Sequence, residues 1–161
     1  MAESPLMENM AREFGDEAHF LFVYVREAHP GELYPHHTSF VQKAGQARDM
    51  RKHGVGRPIL VDSLNGDVHR QYGGMPNMSW IIDHTGRVSF KASWTVAFDI
   101  QAALEETLEL KGLRRQGGFV APYYRETMGL KVMPAEEVYL GGEKAYEDVR
   151  KVRERDAARG K

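Results

Sequence analysis

Glu27 and His29 stand two residues apart, directly after the apolar run Phe20-Leu21-Phe22-Val23-Tyr24-Val25, and His36 and His37 follow in the same loop. If the segment stays extended, the Glu27 and His29 side chains point to one side, because strand side chains alternate. A carboxylate beside an imidazole fixes its tautomer and raises its pKa, which prepares a general acid or a hydrogen-bond donor. The competing reading is a loop of solvated histidines, with Glu27 paired at the surface to Arg26 or a lysine. A metal site on His29, His36 and His37 has little support, since the chain has no pair of histidines at the i, i+4 spacing of a zincin helix. Asp62 ends a second apolar run and can face the same edge, although capping the turn after Val61 is its simpler role. In Tyr72-Gly73-Gly74-Met75-Pro76-Asn77, backbone without Cβ atoms lets a ligand approach closely, and a plain turn explains the segment equally well.

Other chemistries lose their support. There is no Gly-rich phosphate loop ending in Lys-Ser/Thr, no G-x-G-x-x-G and no G-x-S-x-G elbow, and no cofactor is expected. Cysteine is absent, so no residue of this chain forms a disulfide, a thiolate nucleophile or a thiolate metal site. With 22 Lys and Arg against 23 Asp and Glu, the net charge of −1 gives no reason to expect nucleic acid or an anionic membrane as partner. No apolar run approaches the roughly 18 residues of a membrane span, and residues 1–10 lack the basic and apolar regions of a signal peptide. A cytoplasmic setting is expected.

The elements that must position these residues follow from periodicity and punctuation. Ser4 and Pro5 suit an N-cap and first helical position, and Leu6, Met7, Met10 and Phe14 continue at helical spacing towards Gly15. The run 20–25 reads as a strand buried on both faces. Ser39 with Gln42 three residues on resembles a capping box, opening a helix with a modest face of Phe40, Ala44, Ala47 and Arg51. Ile59-Leu60-Val61 reads as a short buried strand, followed by a short helical turn. Trp80-Ile81-Ile82 and Val88-Ser89-Phe90 flank His84-Thr85-Gly86 as a hairpin. Residues 98–110 carry Ile100, Leu104 and Leu108 on one face of a helix. The order is that of an α/β protein with helices covering a mixed sheet. Residues 1–111 are expected to form the domain, and 112–161 a charged C-terminal extension, partly helical or partly disordered.

Several of these residues resemble a known family. FLFVYVREAHPGE at 20–32, Pro35-His36-His37-Thr38-Ser39, Val61-Asp62-Ser63 and Tyr72-Gly73-Gly74 are similar, in order and approximate spacing, to the iodothyronine deiodinases and their bacterial redoxin-like relatives. The resemblance covers about residues 5–110 and implies a thioredoxin-like fold of the peroxiredoxin and deiodinase type. It implies attack by a thiol or selenol on a bound small molecule, with a thiol electron donor. His29 resembles the family's active-site histidine, Glu27 its neighbouring acid and His37 its second, substrate-clamping histidine. Asn77 falls near the family's acidic substrate residue and Met78 at its following arginine, so neither carries the family's charge. Tyr72 and Gly73 fall in the substrate-binding turn.

The family's nucleophile sits in a Thr-Cys-Pro or Thr-Sec-Pro turn ending the strand before the first helix, which places it several residues ahead of Met1. That strand is central in the family's sheet, between 20–25 and 80–83, and this chain lacks it. The native protein is therefore expected to start further upstream. Without the strand, its two neighbours either leave backbone groups unpaired or close up into an altered pairing. The resulting expectation is a redox enzyme of this type whose nucleophile is absent from these residues. A non-catalytic thioredoxin-like binding module is the alternative, a histidine-loop metalloprotein the weaker third, and a homodimer is compatible with each.

Overall fold

Helix starts and strand partners account for most of the architecture. The computed structural model of the chain describes residues 3–75, 77–128 and 140–159. Within the expected C-terminal extension, residues 129–139, 160 and 161 lie outside the described residues, as do Met1, Ala2 and Pro76. Among the described residues the elements are mixed α and β, with five α-helices and two small sheets. They group into two compact units, one of residues 21–75 and 140–159, the other of 3–20 and 77–128. Residue 111 falls inside a helix, so the units divide the chain elsewhere.

In the first unit, β1 (Phe22–Tyr24) and β2 (Ile59–Val61) pair in parallel, with Phe22 opposite Ile59 and Tyr24 opposite Val61. The expected burial of both faces does not occur: Phe22 and Tyr24 turn inward while Leu21, Val23 and Leu60 stay exposed. Helix α2 (Phe40–Asp49) begins at Ser39, whose hydroxyl accepts from the Gln42 N–H at 3.2 Å. The reciprocal half of the capping box shifts by one residue, because the Gln42 side chain accepts from the Thr38 N–H at 2.8 Å. The helix turns Lys43, Gln46 and Ala47 inward, whereas Phe40 at its first turn is exposed, contrary to the expected apolar face. A 3-10 turn (Met50–His53) follows and ends at Gly54 with φ +86°, a conformation that favours glycine. Tyr24, Ala47, Met50 and Val55 form this unit's core. Helix α3 (Asp67–Tyr72) follows β2.

The second unit holds α1 (Ser4–Glu13), the antiparallel hairpin β3 (Ser79–Ile82) and β4 (Val88–Ala92), α4 (Ala97–Arg115) and β5 (Arg125–Thr127). Ser4 is not the cap of α1: Glu3 occupies that position, and its carboxylate instead accepts from the Ala97 N–H at 2.9 Å, capping α4. Asp83 shapes the hairpin turn by accepting from the Thr85 N–H at 2.8 Å and the Arg87 N–H at 3.1 Å. Strand β5, which the sequence pattern does not announce, lies parallel to β4, with Lys91 and Glu126 joined at 2.8 Å. Met10, Phe90, Ile100, Ala103 and Leu104 lie in the core beneath it.

The expected single mixed sheet is thus replaced by two, in the orders β1-β2 and β3-β4-β5. Among the described residues β1 pairs only with β2, and β3 only with β4.

Candidate functional site

A cavity of about 370 Å³ in the first unit opens beyond the carboxyl ends of β1 and β2. Crevices at that end of parallel strands are where open α/β sheets take their ligands. Val25, Arg26 and Glu27 reach it from the end of β1, Asn65 from the β2–α3 loop, His36 and His37 from the loop before α2, and His69 and Arg70 from α3.

Tyr24 organises the wall. Its ring is packed in the core, 5% exposed, which leaves the hydroxyl in need of partners. The hydroxyl donates to Glu27 Oε1, and its oxygen lies 3.3 Å from His37 Nε2 and 3.5 Å from Gln46 Oε1. Since the one phenolic proton goes to Glu27, the Tyr24 oxygen is left to accept, and a His37 tautomer protonated on Nε2 satisfies it. Gln46 in turn donates to the Pro35 carbonyl at 3.4 Å, tying α2 to the histidine loop.

The electrostatics push the two ends of this chain towards neutral forms. Burial raises the Glu27 pKa, against the opposing Tyr24 hydrogen bond and the nearby His36. Burial lowers that of His37, helped by Lys43 and opposed by Gln46. The Tyr24 phenol is pushed far up, first by burial and then by its bond to Glu27. The shifts favour the protonated acid and the neutral imidazole, and two such groups joined through a phenol have the make-up of a proton donor and acceptor pair.

Asp62 supports the opposite wall as a cap. Its carboxylate accepts from the Val68 N–H at 2.9 Å and the His69 N–H at 3.0 Å, while the Ser63 hydroxyl accepts from the Asp67 N–H at 3.1 Å. Burial raises the Asp62 pKa, but these backbone bonds and Lys43 outweigh it, so the net direction is down. Lys43, 1% exposed, donates to the Ser63 carbonyl at 2.8 Å and braces the same turn.

Of the residues singled out from the sequence, Glu27 and His37 therefore come together, through Tyr24. His29 does not line the cavity. Its loop is tied to the start of α5 (Glu143–Arg159): the Leu33 N–H donates to the Gly141 carbonyl at 3.0 Å, and a Cβ on Gly141 would stand 2.5 Å from the His29 carbonyl oxygen. Desolvation lowers the His29 pKa, and the Arg153 charge adds to this. Tyr72 and Gly73 end α3, where the Gly73 N–H donates to the His69 carbonyl at 3.0 Å, and they do not line the cavity either. Asn77 belongs to the second unit, and its carbonyl accepts from the Thr95 hydroxyl at 3.3 Å. Sequence reasoning missed Tyr24, and the signal available for it was a tyrosine inside an apolar strand with an acid three residues on.

Among the described residues no group of three or more His, Asp or Glu side chains is arranged to hold a metal ion. No helix among them is long and apolar enough to cross a membrane. No protein-family model matches the chain, and comparison with curated proteins and with solved structures gives no significant match.

Proposed function

We propose that the chain is a thioredoxin-like domain of the deiodinase and redoxin type, and that its 370 Å³ cavity holds a small substrate whose proton is managed by Glu27, Tyr24 and His37. The observation that carries this reading is the Tyr24 hydroxyl shared between Glu27 and His37 at the carboxyl end of β1. In reductive removal of iodide, two thiols give up two electrons and become a disulfide, iodide departs, and the carbon that held it takes a proton. Glu27 and His37 line the cavity and are joined through the Tyr24 hydroxyl, which suits them to hold and pass on that proton. Arg26 and Arg70 at the rim favour a substrate with an anionic group. These 161 residues hold no thiol or selenol, so in this reading they bind and protonate substrate while the nucleophile comes from elsewhere.

Titrating the chain with an iodophenol while recording the His37 and Tyr24 ring resonances is expected to give saturable shifts. A His37→Ala variant that remains folded by circular dichroism is expected to lose them. With dithiothreitol added, iodide release should stay at the rate of the thiol alone. Absence of saturable shifts, or the same affinity in the variant, overturns the reading.

The absence of cysteine favours a second reading, a binding module that uses the same cavity without redox chemistry. The coding DNA read in frame ahead of codon 1 separates the two. A Thr-Cys-Pro or Thr-Sec-Pro run supports the oxidoreductase, and a stop codon with no such run supports the module.

A further inference from the structure

The second unit contains a cavity of its own, about 270 Å³, formed by the hairpin turn, β4, the last turns of α4 and residues 122–124. Its walls are largely apolar, from Val88, Leu110, Pro122 and the Tyr123 ring, and two guanidinium groups, Arg87 and Arg114, stand at it. The only carboxylate in the lining is Asp83. One of its oxygens already accepts from the Thr85 N–H at 2.8 Å, the Thr85 hydroxyl at 2.6 Å and the Arg87 N–H at 3.1 Å. The other meets Arg114 at 3.4 Å, longer than the roughly 2.7–2.9 Å of a strong charge-assisted bond. Arg87 makes no ion pair among the described residues. Asp83 stands alone against two guanidinium groups in the lining, and Glu106, outside it, is engaged by the Tyr123 hydroxyl.

The floor is a pair of buried hydroxyls. Thr107 donates to the Ala103 carbonyl at 2.7 Å, so the 2.9 Å contact between Ser89 and Thr107 is made with the Ser89 proton. Both protons are thus used within the protein, and the floor offers no donor to an anion. An anionic group is therefore directed to the arginines, and an apolar body to the walls. The volume lies just under the roughly 300–1,000 Å³ of pockets for drug-sized ligands, which suits a smaller molecule.

We propose that this cavity binds a small organic carboxylate, with Arg114 and Arg87 holding the carboxylate and Val88, Leu110 and Tyr123 packing against its apolar body. The test is an NMR titration of the whole chain with benzoate, benzyl alcohol and inorganic phosphate, following the amides of residues 88–92 and 123–127. Benzoate is expected to give saturable shifts, and the other two to bind at least about tenfold more weakly, since each lacks one half of the recognition. Arg114→Gln should weaken benzoate by a similar factor. Because that change also removes a partner of Asp83, Arg87→Gln serves as a second variant that breaks no described ion pair, and it should weaken benzoate as well. Benzyl alcohol or phosphate binding as tightly as benzoate, wild-type affinity in both variants, or no saturable shift with benzoate overturns the proposal.

Discussion

Tyr24 has one hydroxyl proton and three polar side chains around it, and which of them receives it decides the charge of the candidate site. Donation to Glu27 lowers the acid's pKa only in part, because burial works the other way and prevails. The sign of the resulting linkage follows. A carboxyl group whose native pKa is raised adds stability below its unfolded pKa and loses it as pH rises through the native value. Glu27→Gln is therefore expected to stabilise the protein at neutral pH and to leave it unchanged near pH 4, as measured by urea unfolding at both. His37, lowered in the native state, works on the other side: its contribution is present above its unfolded pKa and fades as pH falls. Tyr24→Phe should cost about 1 kcal/mol, the usual net worth of a buried hydrogen bond, and should move the Glu27 titration midpoint up. An unmoved midpoint would show that the phenol does not bond to Glu27. Glu27 and His37 were legible as candidates because acids and imidazoles after a strand declare their chemistry by type. Tyr24 was not, because in an apolar run it reads as core.

The anchoring of α5 shows how far elements act at a distance. Glu32 accepts from the Glu143 N–H at 2.7 Å and the Lys144 N–H at 3.2 Å, so this helix is capped by a residue from the histidine loop. The glycines nearby permit the approach: a Cβ on Gly31 would meet the Gly141 carbonyl oxygen at 2.1 Å. Hydrogen bonds from its own backbone N–H and from the two helix amides draw the exposed Glu32 carboxyl below its ordinary pKa, against partial desolvation. A depressed carboxylate stabilises above its unfolded pKa and stops doing so as pH falls through the native one. The wild-type helix should therefore lose amide protection at residues 143 and 144 under acid. Glu32→Gln should show that faster exchange already at neutral pH, with little further acid dependence. Equal protection in the two proteins at neutral pH would mean that the cap contributes nothing. No local pattern reveals such a contact, which is why His29 looked from the sequence like a neighbour of Glu27 and His37. The same holds for β5: Arg-Glu-Thr carries no apolar alternation, and only the register of β4 makes it a strand. By contrast α2, α4 and the hairpin carried their own signals, in the Ser39 cap, the Ile100 and Leu104 stripe and the Gly86 turn.

At the scale of the whole molecule, charge and exposed apolar surface act together. The net charge is −1 with histidine neutral, while Phe119 is 95% exposed, Val41 78% and Phe98 72%. A protein this close to neutrality has little electrostatic repulsion between copies to offset contacts among such side chains. Acidification below the sequence pI of 6.7 changes this, carrying the net charge through zero to positive values. Going the other way, from pH 7 to 9, few groups titrate and the charge stays small. Association is therefore expected to be greatest across neutral and mildly alkaline pH and to be relieved near pH 5, the opposite of what an acidic protein would do. Light scattering at fixed protein concentration across that range checks it. If association is driven by exposed apolar side chains, Phe119→Ser should reduce it at neutral pH without altering its pH profile. Scattering that is flat with pH, or that rises towards pH 5, would show that net charge does not govern the contact between copies.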